Sequence, residues 1–304
     1  MRNNLPHLSK LQITQLAKLI EKILRAMQPE LILCLGSRTT TMQDWSCFWE
    51  EEGYRQTVFP TTYDLLILTG EDEKRADHEL IQLIEQQAGP LACEVTCMIQ
   101  PSHTFYEGLE KGYRFDTTVY RKAVGVYSNG RQLLPVLPAE PEPQALKGKI
   151  EDHWNRCFTI AQRFFKAATD CQQDNWPEQA AFNLHQSTQH ACMALLRVFT
   201  GYRSTTHNLS RLLALIENFS FELSIIFPCL TKEEKELFNL LNRAYSDARY
   251  KEHYTISAEK VTILTERVQE LLMVAEMLYK NRQEQLAATQ ALVFPIKPSH
   301  EKQA

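Results

Sequence analysis

The chain has 304 residues, 44% of them hydrophobic and 23% charged, with a formal net charge of −4. That length suits two domains, each able to bury its own core, and the composition is that of an ordinary globular protein rather than a disordered or fibrous one. The charge excludes a globally basic surface of the kind that holds nucleic acid by its phosphates, so any anion site must be local. No apolar stretch approaches the length of a membrane span, and the opening MRNNLPHLSKLQ lacks the apolar core of a signal peptide. The expectation is a cytoplasmic protein with no membrane partner. Eight cysteines are scattered singly, the nearest pair being Cys93 and Cys97. Cys34, Cys93, Cys97 and Cys192 stand in apolar runs and read as small buried hydrophobes; neither a zinc spacing nor a disulfide framework is visible.

Apolar residues from Leu8 to Met27 recur at helical spacing, and Pro29 is read as the stop. A strand over 30–35 follows and ends in a Gly36-Ser37 turn. The acidic, aromatic segment 41–58 reads as an inserted loop or short hairpin. A strand over 63–69, a helix over 72–88, a Gly89-Pro90 turn, a strand over 91–99, a partly helical stretch over 101–121 and a short strand and turn over 123–130 complete the first half. Helix-then-mixed-sheet order makes this half α/β, residues 1–132. The segment LLPVLPAEPEPQALKG, 133–148, holds four prolines and suits a stiff linker. Beyond it every pattern is helical: 149–170, 178–200 stopped by Gly201, 207–218, 231–250 and 257–283. Residues 149–288 therefore read as an all-α antiparallel bundle, and 289–304 as an extended tail. The whole is α+β followed by α.

Chemistry concentrates at three places in the first half. A strand ending in Gly36-Ser37 can turn tightly and present backbone N–H groups and a hydroxyl to a phosphate. Asp64, on the apolar strand YDLLIL, is costly to bury unless it binds metal or forms an ion pair. The metal reading, a carboxylate holding Mg²⁺ against a nucleotide, is preferred over the ion pair. Glu94, in LACEVTCMI, is either a neighbour in that site or an edge-strand charge. These features resemble the start of the minimal nucleotidyltransferase fold, shared by kanamycin nucleotidyltransferase and DNA polymerase β relatives. The resemblance implies Gly36 and Ser37 as nucleotide-binding residues, Asp64 and Glu94 as catalytic residues and Mg²⁺ ligands, and an NTP as ligand. It also exposes a departure: where that family carries Asp-x-Asp, this chain has Thr62-Tyr63-Asp64. Thr62 shares a strand face with Asp64 but brings no charge. Two dications about 4 Å apart need a dense carboxylate cluster, which Asp64 and Glu94 alone do not supply. Asp44, Glu50, Glu51 and Glu52 of the insertion could add charge, although a solvated loop face explains them as well.

In the second half, AAFNLHQSTQHACMALL, GYRSTTHNLSRLL and AYSDARYKEHYTIS resemble HEPN domains, helical bundles often encoded beside, or fused to, minimal nucleotidyltransferases. The resemblance implies a HEPN motif at Arg249 and His253 and homodimerisation through the helical half, to which Phe158, Phe164 and Phe165 offer apolar surface. In ribonuclease members an Arg stabilises the pentacoordinate phosphate while a His moves protons. Here three residues separate Arg249 from His253, a shorter spacing than the ribonuclease pattern, so RNA is a less favoured partner. Asp247 and Glu252 are available to pair Arg249. His185 and His190 lie roughly 140° apart around a helix and do not converge on one ion, and His207 is expected to cap or bond locally. Three readings result. The first is an Mg-NTP-binding nucleotidyltransferase. The second is a catalytically degenerate nucleotide-binding, dimerising regulatory module. The third is a HEPN ribonuclease of toxin–antitoxin type.

Overall fold

The computed structural model describes residues 5–44, 47, 55–130, 143–251 and 254–293. The chain divides into two compact units, Met1–Ala139 and Glu140–Ala304.

The first unit is mixed α/β. Helix α1 (Lys10–Ala26) opens on a capping box in which the Ser9 hydroxyl accepts from the Gln12 N–H and the Gln12 side chain returns to the Ser9 N–H. Its apolar stripe, Leu16, Leu19, Ile20 and Ile23, lies against a four-stranded sheet of order β5-β4-β1-β6. Strand β1 (Pro29–Arg38) pairs antiparallel with β4 (Thr61–Thr69) and β6 (Val124–Ser128), while β4 pairs parallel with β5 (Cys93–Pro101). A parallel pair needs a crossover, which α2 (Asp77–Ala88) and the 3₁₀ turn Gly89–Leu91 supply. Strand alternation sends Tyr63, Leu65 and Ile67 of β4, with Cys93, Val95 and Cys97 of β5, toward α1 and α2. Between β1 and β4 the segment expected as loop or hairpin forms a two-stranded ribbon, β2 (Thr41–Asp44) with β3 (Arg55–Val58). The stretch 101–121 forms two helices, α3 (Ser102–Glu110) and α4 (Arg114–Lys122), joined through Gly112 at φ 67°.

Several boundaries differ from the sequence reading: the helix expected over 72–88 begins at Asp77, and the last helix, Ala258–Val293, runs into the segment expected as tail. Pro29 does not merely stop α1; it begins β1, at a position where a strand tolerates a missing N–H. Gly36 and Ser37 do not form a turn. They continue β1, opposite Asp64 and Tyr63, after a register irregularity between Cys34 and Gly36. In the second unit α5 begins at Pro143, inside the segment expected as linker, with proline at the first helical position where its absent donor costs nothing.

The second unit is helical: α5 (Pro143–Gln173), α6 (Pro177–Thr200), α7 (Leu209–Ile216), α8 (Glu222–Ile226), α9 (Lys232–Tyr250) and α10 (Ala258–Val293). Side-chain pairs fix the helix directions. Cys171 with Asn183 and Phe164 with His190 run α5 and α6 antiparallel. Gln172 with Thr262 and Trp154 with Tyr279 do the same for α5 and α10, and His185 with Tyr245 and Phe182 with Arg249 for α6 and α9. Gly201, at φ 83°, ends α6 in the left-handed conformation that glycine adopts without a Cβ penalty. Phe158, expected to offer dimer surface, is buried and stacked on Trp154 at 4.3 Å. Phe164 stacks on His190. Cys34, Cys93, Cys97 and Cys192 are all buried thiols.

Candidate functional site

In the first unit, β-sheet register decides which candidate residues meet. Thr62 stands opposite Glu94, Asp64 opposite Thr96 and Gly36, and Arg38 opposite Thr62. Opposed residues share a face, so Arg38, Thr62, Asp64 and Glu94 form one patch on the face turned away from α1. Ser37 stands opposite Tyr63 and lies on the other face. There it contacts His7, with His7 Nε2 and Ser37 Oγ 2.8 Å apart, while the Tyr63 hydroxyl donates to the Gln12 carbonyl at 2.8 Å. The structure therefore gathers Gly36, Asp64 and Glu94 but separates the Ser37 hydroxyl from them by the thickness of the sheet. Gln12 completes the α1 side of this end, its amide donating to Thr39 and Thr61 hydroxyls at 2.9 and 3.0 Å.

The patch holds a cation of its own. Arg38 Nη1 donates to Asp64 Oδ2 at 2.5 Å, and both side chains are largely covered, 13% and 1% exposed. Thr62 Oγ1 donates to Glu94 Oε2 at 3.1 Å, and Glu94 is exposed. Such a donor set does not fit Mg²⁺. Its one buried carboxylate already has a guanidinium in contact, which would repel a dication at the same oxygen. Thr62 is neutral and faces the second carboxylate with its hydroxyl. Among the described residues no group of three or more His, Cys, Asp or Glu could hold a metal ion. Glu50, Glu51 and Glu52 lie outside the described residues, and of the Asp44 side chain nothing is described.

Arg38 was the residue that sequence reasoning passed over. It follows Gly36-Ser37 directly, and β-alternation puts it on the face that Ser37 does not use; only the register with β4 shows that this face carries Asp64. The ion-pair reading of Asp64, weighed against the metal reading, is the one the geometry gives.

In the second unit, α6, the connection 201–208 and α9 bring together a polar and aromatic cluster. His185 is fully buried; its Nε2 lies 2.9 Å from the His207 carbonyl and its Nδ1 3.2 Å from Gln186 Nε2. Nε2 therefore carries the proton and donates to the carbonyl, while Nδ1 accepts from the amide. The His207 ring has Nδ1 3.0 Å from Gln189 Oε1 and Nε2 3.1 Å from the Tyr245 hydroxyl, and it stacks on the Tyr245 ring at 3.9 Å. The proton on Nδ1 goes to Gln189, leaving Nε2 to accept from Tyr245. Burial pushes His185 down to about 4, and burial together with Arg249 lowers His207 below the usual imidazole range. His207 thus bonds locally, as expected, but the cap of α7 is Asn208, whose side chain accepts from the Arg211 N–H.

Arg249 completes the cluster, and not as the sequence suggested. Its Nε donates to the Tyr245 carbonyl at 2.7 Å, and its guanidinium lies 4.1 Å over the Tyr245 ring and 4.9 Å from that of Tyr250. Asp247 faces the other side of α9, where Lys251 Nζ reaches it at 3.0 Å and the Ser246 hydroxyl at 2.9 Å. Helix geometry explains this: partners four residues apart share a face, so Asp247 meets Arg243 and Lys251 while Arg249 meets Tyr245. Among the described residues Arg249 forms no ion pair, and it is exposed. His253 and Glu252 lie outside the described residues.

An antiparallel bundle with a cationic, aromatic and imidazole cluster on one side defines the class of the second unit. Residues 154–280 match the family model of the HEPN domain, so the helical unit carries a HEPN domain. No curated protein matches the chain. No helix among the described residues is long and apolar enough to cross a membrane.

Proposed function

We propose that this protein is a binding and regulatory module in which a nucleotidyltransferase-like first unit has lost transfer chemistry and a HEPN unit supplies dimerisation and ligand contact. The observation that carries this reading is the Arg38–Asp64 ion pair at 2.5 Å, beside a threonine where the transferase pattern needs a carboxylate. Two-metal phosphoryl transfer requires clustered anionic oxygens around the dications. Here the buried carboxylate is matched by a protein cation, and the hydroxyl expected to hold the phosphate, that of Ser37, is on the opposite face of the sheet. The deciding experiment incubates purified protein with Mg²⁺ and each α-labelled NTP, with self-labelling and mixed RNA acceptors as readouts, beside calorimetric titration with Mg-ATP. Transfer of label by the wild type, abolished in a folded Asp64→Ala protein, would restore the transferase reading. Light scattering at micromolar concentration tests the dimer.

A second reading, HEPN ribonuclease, is favoured by one observation: the Arg249 guanidinium is exposed, backed by aromatic rings and without an ion pair among the described residues. Such a group is suited to a phosphate oxyanion. Incubation of the wild type with mixed RNAs, beside Arg249→Ala, His207→Ala and His253→Ala, tests it; intact RNA throughout leaves the regulatory reading standing.

A further inference from the structure

We propose that Arg38 is a built-in counter-ion standing in the place of a catalytic dication, and that with Thr62 it is what keeps divalent metal from the sheet patch. The proposal rests on the regulatory reading above and explains it at the level of single residues.

Three observations converge. The first is position. Arg38 stands opposite Thr62 on β4, and its guanidinium crosses to Asp64, two residues along the same face. It is thereby fixed beside Asp64 Oδ2, an oxygen that a metal would need. The second is burial. Asp64 is fully buried and its side chain 1% exposed. A carboxylate removed from water to that degree needs a cation in contact, and a dication or a guanidinium can each fill the role. The third is charge. Arg38, Asp64 and Glu94 together carry one positive and two negative charges, and the Thr62 hydroxyl donates to Glu94, a role that a second carboxylate at that position could not perform. A threonine at 62 and an arginine at 38 are therefore matched to each other: the arginine supplies the charge that a metal would have brought, and the half-buried threonine adds no further anion to the Asp64 and Glu94 carboxylates that the arginine faces.

The matched pair makes a double substitution the informative one. Thr62→Asp alone adds a carboxylate but leaves the guanidinium in contact with Asp64. Arg38→Ala alone removes the cation but leaves a single buried carboxylate and Glu94. Arg38→Ala with Thr62→Asp leaves three carboxylates on one face without the guanidinium that contacts Asp64, a denser oxygen set for one hard dication that keeps several waters.

The experiment titrates Mn²⁺ alone, without nucleotide, into wild type, Thr62→Asp, Arg38→Ala and the double variant, reading free Mn²⁺ by paramagnetic resonance. The double variant is expected to bind one Mn²⁺ at least about tenfold more tightly than either single variant, with no specific binding by the wild type. Adding Asp64→Asn to the double variant should abolish that binding. Should the double variant prove unstable without metal, Arg38→Gln with Thr62→Asp replaces it, and a rise in Tm with Mn²⁺, absent in the wild type, is the expected result. Tight Mn²⁺ binding by the wild type or by Thr62→Asp alone would overturn the proposal, as would a folded double variant that neither binds Mn²⁺ nor is stabilised by it. Nucleotidyl transfer by the wild type would instead overturn the regulatory reading, and no arm of the metal titration depends on it.

Discussion

Burying the carboxylate of Asp64 costs free energy that only a charge partner on the same face offsets, and Arg38 is that partner. Breaking such a pair from one side is worse than removing both halves. Arg38→Met is therefore expected to lower the stability of the first unit by about 3–5 kcal/mol, while Arg38→Met with Asp64→Leu recovers most of the loss. Urea unfolding of the four proteins of the cycle checks it, and equal losses in the single and double variants would show that the pair is not the cause. Arg249 gives the opposite expectation. With no ion pair among the described residues and a guanidinium stacked on Tyr245, Arg249→Ala should change stability by less than about 1 kcal/mol. The same substitution should weaken any binding of phosphate-bearing ligand, read by fluorescence anisotropy with a labelled single-stranded RNA. At this scale the sequence showed that Asp64 needed a partner but not which one. Arg38 and Asp64 come together through a strand register that no local pattern carries, and Arg249 parted from Asp247 because helical faces, not proximity along the chain, set contacts.

Elements were more legible than the contacts between them. The 3.6-residue spacing located α6, α9 and α10, with Pro177 and Gly201 bounding α6, because capping chemistry and an apolar stripe are local properties. Helix α8, only Glu222–Ile226, was invisible for the same reason: five residues are too short for a period to show. Strand β1 ran past Gly36 and Ser37 because pairing with β4 overrides the turn preference of a single glycine. The pairing of α3 with α4 was equally hidden, yet it fixes Gly108. A Cβ there would collide with Asp116, which is buried and held by the Gln100 amide at 3.3 Å. Gly108→Ala is expected to cost about 1–3 kcal/mol through overpacking. The cost should fall when Asp116→Ala removes the obstructing carboxylate, giving a favourable coupling of about 1–2 kcal/mol in a double-mutant cycle. Strict additivity of the two losses would mean that α3 and α4 do not meet as described.

At the scale of the whole molecule, the two units carry buried titratable groups whose pH dependences oppose each other. In the first unit, burial pushes Asp116 up from its ordinary 3.8 to about 6, only partly countered by the Gln100 amide. The folded unit therefore holds a proton that the unfolded chain has released, so stability falls as pH rises from about 4 to about 6. In the second unit, burial pushes His185 down from 6.5 to about 4, with the His207 carbonyl opposing and His207 and Arg249 reinforcing the shift. There the unfolded chain takes up a proton that the folded unit refuses, so stability is full above pH 6.5 and is lost on acidification toward 4. Each effect is worth up to about 3 kcal/mol across its window. Glu73 is held down to about 2 by the Arg75 side chain, and its stabilisation is lost only below its ordinary 4.5, so the comparison belongs between pH 4.5 and 6.5. Within that window, Asp116→Asn should flatten the pH dependence of the first unit while leaving the second unchanged. His185→Gln should reduce that of the second, where His190 and His207, also lowered by burial, keep a part of it, while leaving the first unchanged. Hydrogen exchange resolved by peptide reads each unit separately in the intact chain, through amides of β4 for the first and α6 for the second. If acidification from pH 6.5 to 4.5 weakens protection in β4 and strengthens it in α6, the protonation states assigned to Asp116 and His185 are wrong.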